Sequence, residues 1–253
     1  MSLTATVSIF WTGGYDSTFR ICQLSRQNVT IVPYYLSDDR AAEPMELQAI
    51  DIIRRKLLDD PATKAAISPL IYVPSDARQR DSRVSEAFHR LSKGNSIGSQ
   101  YEWLGAFALT HPGIELSVHQ DDKAIALIQR HGALTPGLTP GGTCYALDRR
   151  KSSEDIVALF GCMGLPLADY TKLRMKREYA RMGLADIIHD TWFCHRPVDG
   201  KPCGVCNSCR CTIEEGMSER FSEEALARYR RYCSPAGILQ RKTGALLRAL
   251  NRR

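Results

Sequence analysis

An apolar run that leads directly into a glycine turn is the feature that most restricts the fold of this chain. Residues 4–11 are rich in Val, Ile, Phe and Trp and predict a short buried strand. Residues 17–25 predict a helix with four side chains available for packing: Phe19, Ile21, Cys22 and Leu24. The turn between them, TGGYDST (residues 12–18), joins a strand to a helix. Such a junction is a building unit of parallel α/β sheets.

The turn TGGYDST, called the glycine loop below, has the chemistry of an anion site. Gly13 and Gly14 allow backbone geometry that a β-carbon would block, and the amides at the helix start can bind a phosphate or pyrophosphate with the hydroxyls of Ser17 and Thr18. The loop lacks the G-K-[ST] ending of a Walker A motif and the G-x-G-x-x-G spacing of a dinucleotide site. An architectural turn without a ligand is the alternative interpretation.

Strand and helix patterns alternate beyond the glycine loop. Strands are predicted at 29–36, within 67–73 and at 114–119, and helices at 43–58, 84–91, 101–110, 152–161 and 171–182. The alternation predicts an α/β fold with a doubly wound, mostly parallel sheet of five strands covered on both faces. Ligands on such sheets bind at the carboxyl ends of strands, where residues 11–17, 36–40 and 119–122 would gather.

The segment TPGLTPGGT (135–143) interrupts this alternation. With two prolines and three glycines it predicts a loop, either a lid or a simple connector, and neither a helix nor a central strand. The expected domains are a sheet domain at 1–183 and a smaller zinc-binding subdomain of helices and loops at 184–253.

Four cysteines fall within sixteen positions near the carboxyl terminus. Their spacing, C-x8-C-x2-C-x2-C, is typical of a tetrahedral zinc site with four protein ligands, which leaves no open position for catalysis and indicates a structural role. His195 and Cys211 are spare donors, and a pair of disulfides is the alternative. The predicted ligands are Cys194, Cys203, Cys206 and Cys209.

Composition and charge restrict the classes of protein further. The chain has 253 residues, and no run in it approaches the roughly eighteen apolar residues of a membrane helix. Nine cysteines without a secretory signal predict a reducing cytoplasm. Residues 228–253 carry eight basic and no acidic side chains, so a zinc-ribbon nucleic-acid-binding module with a vestigial loop is an alternative function. A solvated amphipathic helix explains the same tail through Leu246, Leu247 and Leu250.

The glycine loop resembles the SGGxDS signature of the PP-loop ATP pyrophosphatases, whose fold is of the adenine nucleotide alpha-hydrolase type. Thr12 stands where the family usually has serine, a change that keeps the hydroxyl. The resemblance implies that Asp16 helps to hold Mg²⁺ and that Ser17 contacts the phosphates. The residues expected to hold ATP are Thr12, Gly13, Gly14, Asp16, Ser17, Thr18, Leu36 and Lys176.

The order of the two motifs resembles the 7-cyano-7-deazaguanine synthase family. Those enzymes use ATP to convert 7-carboxy-7-deazaguanine with ammonia into an amide and then a nitrile. MKREYARMG is similar to their lysine-bearing segment, which makes Lys176 a catalytic candidate beside Asp16 and Ser17, and TWFC (191–194) is similar to their approach to the zinc site. The implied cofactors are ATP, Mg²⁺ and Zn²⁺, and a homodimer is a further expectation.

The departures from that family concern the substrate. Ser99 and Gln100 stand where the family usually has an arginine-asparagine pair, and its tyrosine-proline-aspartate-cysteine-arginine segment is missing after VHQDD. The comparison with that family implies that residues 123–170 form a variable insertion on the substrate side. Gln100, Tyr101 and Asp121 are the substrate-side candidates. An alternative is a paralogue, similar to relatives in antiviral defence, that uses the same adenylation to join a deazaguanine to a protein partner.

Overall fold

The computed structural model describes residues 4–95, 97–239 and 243. These residues divide into two compact units. The first comprises the described parts of 1–39 and 46–191, and the second comprises residues 40–45 and the described residues from 192 onward. The predicted helix face of Leu246, Leu247 and Leu250 lies outside the described residues, as does much of the basic tail.

A parallel sheet forms the centre of the first unit. Its strands follow the order β3-β2-β1-β5-β8, and β4 also pairs with β2. The strands are β1 Ala5–Phe10, β2 Val29–Leu36, β3 Ala66–Ile67, β4 Ile71–Val73, β5 Ile114–Glu115 and β8 Met163–Gly164. Every pairing among them is parallel, with β1 in register against β2 over six residues. The predicted doubly wound α/β class is confirmed.

The strand predicted within 67–73 is confirmed as β4, and a further short strand, β3, precedes it. Ser68, Pro69 and Leu70 separate the two strands, because proline lacks the amide that a continuous ladder requires. One strand prediction needs correction. The strand predicted at 114–119 stops at Glu115. Residues 116–119 are not part of a strand, although Leu116 and Val118 are buried. Their burial explains why the sequence pattern predicts a longer strand.

The helices agree with the predicted positions to within about two residues at most ends. Their bounds are α1 Tyr15–Ser25, α2 Glu43–Asp59, α3 Ser82–Ser92, α4 Gln100–Thr110, α5 Lys123–His131, α6 Glu154–Phe160, α7 Lys172–Arg181, α8 Ile187–Asp190, α9 Asn207–Glu214 and α10 Glu223–Cys233. Ser153 caps α6 by accepting a hydrogen bond from the Ile156 amide. The helices cover both faces of the sheet, and no described helix is long and apolar enough to cross a membrane.

The segment predicted as a loop is instead a hairpin. Strand β6 (Leu134–Thr139) pairs antiparallel with β7 (Gly142–Leu147) over six residue pairs. Gly142 has φ +94° at the tip, a conformation that favours glycine. Tyr145 and Leu165 exchange backbone hydrogen bonds, which joins β7 to the chain just beyond β8. The prediction as a loop was wrong, because only Pro140 and Gly141 form the turn and the residues on either side pair as strands.

Candidate functional site

The glycine loop lies at the carboxyl end of β1, where the order of the sheet reverses. The chain proceeds from β1 outward to β2 and β3, and it then returns to place β5 on the other side of β1. Loops that follow β1 and β5 therefore border one crevice, the usual ligand position on an open parallel sheet. The Trp11 amide donates to the Tyr34 carbonyl at 2.9 Å, which fixes the start of the loop against the end of β2.

Close packing against α2 explains the glycine at position 13. Gly13 has φ +68°, and a β-carbon there would lie 2.8 Å from the Glu46 carbonyl oxygen. It would also lie 3.2 Å from the Ala49 β-carbon. The backbone of the loop is thus held in one conformation, and its peptide groups remain uncovered by a side chain at this position.

The predicted hydroxyls of the glycine loop fall into two groups. Ser17 Oγ lies 3.3 Å from both the amide and the hydroxyl of Thr12, which links the two ends of the loop. Thr12 is exposed. Thr18, in contrast, is fully buried, and its hydroxyl accepts a hydrogen bond of 3.0 Å from the Trp11 indole. The Thr18 side chain therefore supports the loop from the protein interior, while Ser17, which is also buried, bridges to the exposed Thr12.

Tyr101, a side chain of α4, lies in a buried position close to acidic groups. The Tyr101 hydroxyl donates to Asp122 Oδ1 at 3.3 Å. Burial is the main cause that raises the pKa of Tyr101, with added contributions from the negative charges of Asp122 and Asp16 and an opposing hydrogen bond with Gln100. The hydroxyl therefore remains protonated and available as a donor. Asp122 and Gln100 thus bond the Tyr101 hydroxyl, and the charge of Asp16 acts on it more weakly.

Two aspartates follow β5, and Asp122 rather than Asp121 contacts Tyr101. Asp122 Oδ1 also accepts the Ala124 amide at 2.7 Å and so caps α5. Asp121 is exposed, with Oδ2 4.0 Å from His119 Nδ1. The sequence could not distinguish the two carboxylates, because a capping residue and a site residue have the same signature after a strand.

Leu36 ends β2 and is buried. The next residue, Ser37, donates its amide to the Val73 carbonyl at 2.9 Å, and the Asp39 amide donates to Ser37 Oγ at 3.2 Å. Asp39 has φ +57° and bonds the Ser75 hydroxyl. A rigid turn thus follows Leu36 at the same edge of the sheet as the glycine loop.

Helix α7 places Lys172 beside the glycine loop. Lys172 Nζ lies 5.7 Å from the centre of the Tyr15 ring, and the Tyr179 hydroxyl donates to the Tyr15 carbonyl at 3.0 Å. Lys176 is exposed. The sequence argument missed Lys172, although it lies one helical turn before Lys176 and directly follows the helix-capping Thr171.

The four predicted cysteines form one cluster in the second unit. The sulfur atoms of Cys194, Cys203, Cys206 and Cys209 all lie within 4.8 Å of one another. Three of the four residues are buried. This donor set and spacing fit a tetrahedral metal site, and four thiolates are the usual ligands of structural zinc.

Backbone amides around the cluster point at sulfur. The Cys203 amide donates to Cys194 Sγ at 3.2 Å, and the Val205 and Cys206 amides donate to Cys203 Sγ at 3.4 and 3.3 Å. Hydrogen bonds with Cys194 and Cys209 lower the pKa of Cys206. Such donors stabilise thiolates and orient them toward a cation.

Gly204 is required by the packing of the cluster. It has φ +80°, and a β-carbon would lie 2.2 Å from the Ala225 carbonyl oxygen of α10. The two spare donors are placed elsewhere: His195 Nε2 lies 3.0 Å from Ser208 Oγ, and Cys211 is exposed outside the four-cysteine group.

Comparison with known proteins supports a distant relationship. A stretch of 46 residues is 48% identical to 7-cyano-7-deazaguanine synthase of Novosphingobium aromaticivorans. The match covers 18% of this chain and 19% of that enzyme, so the aligned part spans about a fifth of the relative's length. No protein-family model matches the chain.

Proposed function

We propose that this chain is an ATP-dependent enzyme that adenylates a carboxylate, with 7-carboxy-7-deazaguanine as substrate and ammonia as acceptor. The observation that carries the proposal is the glycine loop, a strand-to-helix turn at the point where the sheet order reverses, with Asp16 and Ser17 at the start of α1. The partial match to a 7-cyano-7-deazaguanine synthase supports the choice of substrate.

In this proposal the glycine loop binds the phosphates of ATP. The first amides of an α-helix have no intrahelical acceptor, and the helix dipole adds positive potential at the same place. Ser17 and Thr12 supply hydroxyls that lie 3.3 Å from each other at the two ends of the loop, and Lys172 supplies positive charge. Magnesium bound by the Asp16 carboxylate would neutralise charge on the phosphate oxygens.

The reaction needs no nucleophilic side chain. A carboxylate oxygen of the substrate attacks the α-phosphorus, and the bond from that phosphorus to pyrophosphate breaks. Ammonia then attacks the acyl carbon of the adenylate, AMP leaves with the bonding electrons, and a proton is lost to give the amide. The rate enhancement would come from orientation of the carboxylate and from stabilisation of charge on the leaving group.

The substrate would contact α4 in this scheme. Tyr101 is held by Asp122 and stays protonated, so its position is fixed before a ligand arrives. Gln100 supplies an amide, which can both donate to and accept from a heterocycle. Ser99 and Gln100 replace the family's arginine-asparagine pair and are the proposed cause of any difference in substrate.

We assign zinc to the cysteine cluster, with Cys194, Cys203, Cys206 and Cys209 as ligands. Zinc there would cross-link the loop before α9 to the start of that helix. This role is structural, since four protein ligands saturate the metal.

Product analysis tests the proposal. The protein is incubated with ATP, Mg²⁺, ammonium and 7-carboxy-7-deazaguanine, and the products are identified by mass spectrometry. We expect AMP, pyrophosphate and the amide or nitrile, and we expect none of them from Asp16→Ala. Unchanged ATP and carboxylate, or normal turnover by Asp16→Ala, would refute the assignment.

A further inference from the structure

A cavity lies under the β6–β7 hairpin, and no residue of the glycine loop lines it. Its volume is about 520 Å³, within the range of small-molecule sites. Its floor includes Val7 in the first half of β1 and Gly113 directly before β5. Val7 and Thr12 are five residues apart, which corresponds to about 16 Å along an extended strand. This hairpin cavity is therefore separate from the proposed ATP site.

The walls of the hairpin cavity are flat. Four glycines and two prolines line it: Pro112, Gly113, Gly137, Pro140, Gly161 and Gly164. A β-carbon on Gly164 would lie 2.8 Å from Cys144 Sγ, so a side chain at that position is incompatible with the packing of the wall. Walls of peptide faces and proline rings, with Tyr145 beside them, suit a planar apolar body.

One cation in the lining, Arg149, forms no ion pair with an acid among the residues that the structure describes. Arg149 Nη2 donates to the Gly161 carbonyl at 3.1 Å and lies 3.9 Å from Cys162 Sγ, while the side chain as a whole is exposed. A guanidinium carries five N–H donors, so further donors remain for a ligand. The acidic residue of the lining, Glu115, is neutralised by Arg20 through two hydrogen bonds of 2.7 Å. The cavity therefore favours a ligand with a negative group.

The roof of the cavity is held in place without a ligand. Arg20 Nη2 and Gln27 Nε2 both donate to the Gly141 carbonyl at the hairpin tip, at 2.9 and 3.1 Å. Arg20 and Gln27 belong to α1 and its following turn. A preformed roof reduces the ordering cost of binding.

We propose that the hairpin cavity binds a small planar aromatic carboxylate. The ring lies between the glycine and proline walls, and the carboxylate pairs with the Arg149 guanidinium, whose planar fork matches two carboxylate oxygens. This site goes beyond the proposed adenylation and does not depend on it.

Isothermal titration calorimetry of the full-length protein with 2-naphthoate tests this proposal. Arg149→Gln removes the cation, and Arg150→Gln is the matched control, because Arg150 is its exposed neighbour in the same short helical turn but does not line the cavity. We expect saturable binding by the wild type and by Arg150→Gln. Arg149→Gln should bind about tenfold or more weakly, the usual effect of losing a charge-assisted hydrogen bond.

The neutral 2-naphthamide should likewise bind about tenfold more weakly than 2-naphthoate. Absence of saturable 2-naphthoate binding to the wild type would overturn the proposal. Equal weakening in both arginine variants, or equal affinity for the amide, would overturn the role of Arg149. The melting temperatures of both variants are measured as a control. Values equal to that of the wild type would show that the variants are folded.

Discussion

At the residue scale, single side chains decide what the glycine loop can do. Gly13 is fixed by a positive φ and by contact with α2, and Thr18 is withdrawn into the core by the Trp11 indole. The sequence identified the loop correctly as a strand-to-helix turn. It could not show that Ser17 contacts Thr12 whereas Thr18 contacts Trp11, because both hydroxyls occupy the first turn of the same helix.

Gly13→Ala should destabilise the protein more than Gly183→Ala. Gly183 has a similar φ, +72°, but none of the described residues comes within 4 Å of the point where its β-carbon would stand. The free energy of unfolding of the Gly183→Ala control should therefore fall only by the conformational cost of a positive φ, about 1–2 kcal/mol. The Gly13 variant adds a clash with the Glu46 carbonyl, for a total of roughly 2–4 kcal/mol. Urea denaturation measures both values, and equal losses would show that contact with α2 is unimportant.

Lys172→Ala should weaken ATP binding, and Lys176→Ala should leave it close to wild type. Lys172 lies over Tyr15 beside the glycine loop, whereas Lys176 is exposed. Loss of a charged contact to phosphate corresponds to about a tenfold rise in the dissociation constant. Calorimetric titration with ATP and Mg²⁺ distinguishes the two lysines. The reverse pattern would favour the assignment made from sequence alone.

At the element scale, a buried ion pair connects α1, β5 and the hairpin. The side chains of Arg20 and Glu115 are only 4% and 3% exposed, and Arg20 also reaches the hairpin tip at Gly141. No local sequence pattern predicts this ion pair, because its two residues are 95 positions apart in the chain. Burial of both charges is tolerable because each satisfies the other with ideal bidentate geometry.

Arg20→Met should destabilise the protein by about 3–5 kcal/mol, because Glu115 would be left as an uncompensated buried charge. The double variant Arg20→Met/Glu115→Leu should lose less than Arg20→Met alone, since no charge remains buried. Denaturant unfolding of the two proteins makes the comparison. A double variant that is less stable than the single one would mean that the pair itself supplies the stability.

The hairpin illustrates a limit of local patterns. Pro136 and Gly137 argue against a strand, yet they lie in β6, whose burial pattern shows mostly exposed residues. Proline is tolerated in a strand where its missing amide faces away from the partner. The pairing with β7, and the junction of β7 with Leu165, depend on contacts between distant parts of the chain.

At the scale of the whole molecule, the two units rely on different sources of stability. The first unit has an extensive apolar core around the sheet, with Ile9, Ile114 and Phe160 fully buried. The second unit has a small buried cluster in which Cys194, Cys203 and Cys209 accompany Phe221 and Ala225. A core in which thiols are the main members needs a metal or a similar cross-link to stay ordered.

Cys206→Ser should therefore lose bound zinc and unfold the second unit, while Cys211→Ser, which changes an exposed cysteine outside the cluster, should do neither. Elemental analysis measures the metal content, and hydrogen exchange measures order at residues 192–239. We expect exchange protection of β1 to persist in both variants, because its packing belongs to the apolar core. Full zinc content in Cys206→Ser would show that another residue is the ligand.

The sequence by itself determined the features that depend on neighbouring residues. The glycine loop, the strand-helix alternation and the cysteine spacing are local patterns, because turn geometry, helical periodicity and ligand spacing act over a few positions. Only the tertiary structure decided the rest: which lysine lies beside Tyr15, which aspartate holds Tyr101, and the buried partner of Arg20. Those choices are made by packing between distant segments, whose free energies no local pattern contains.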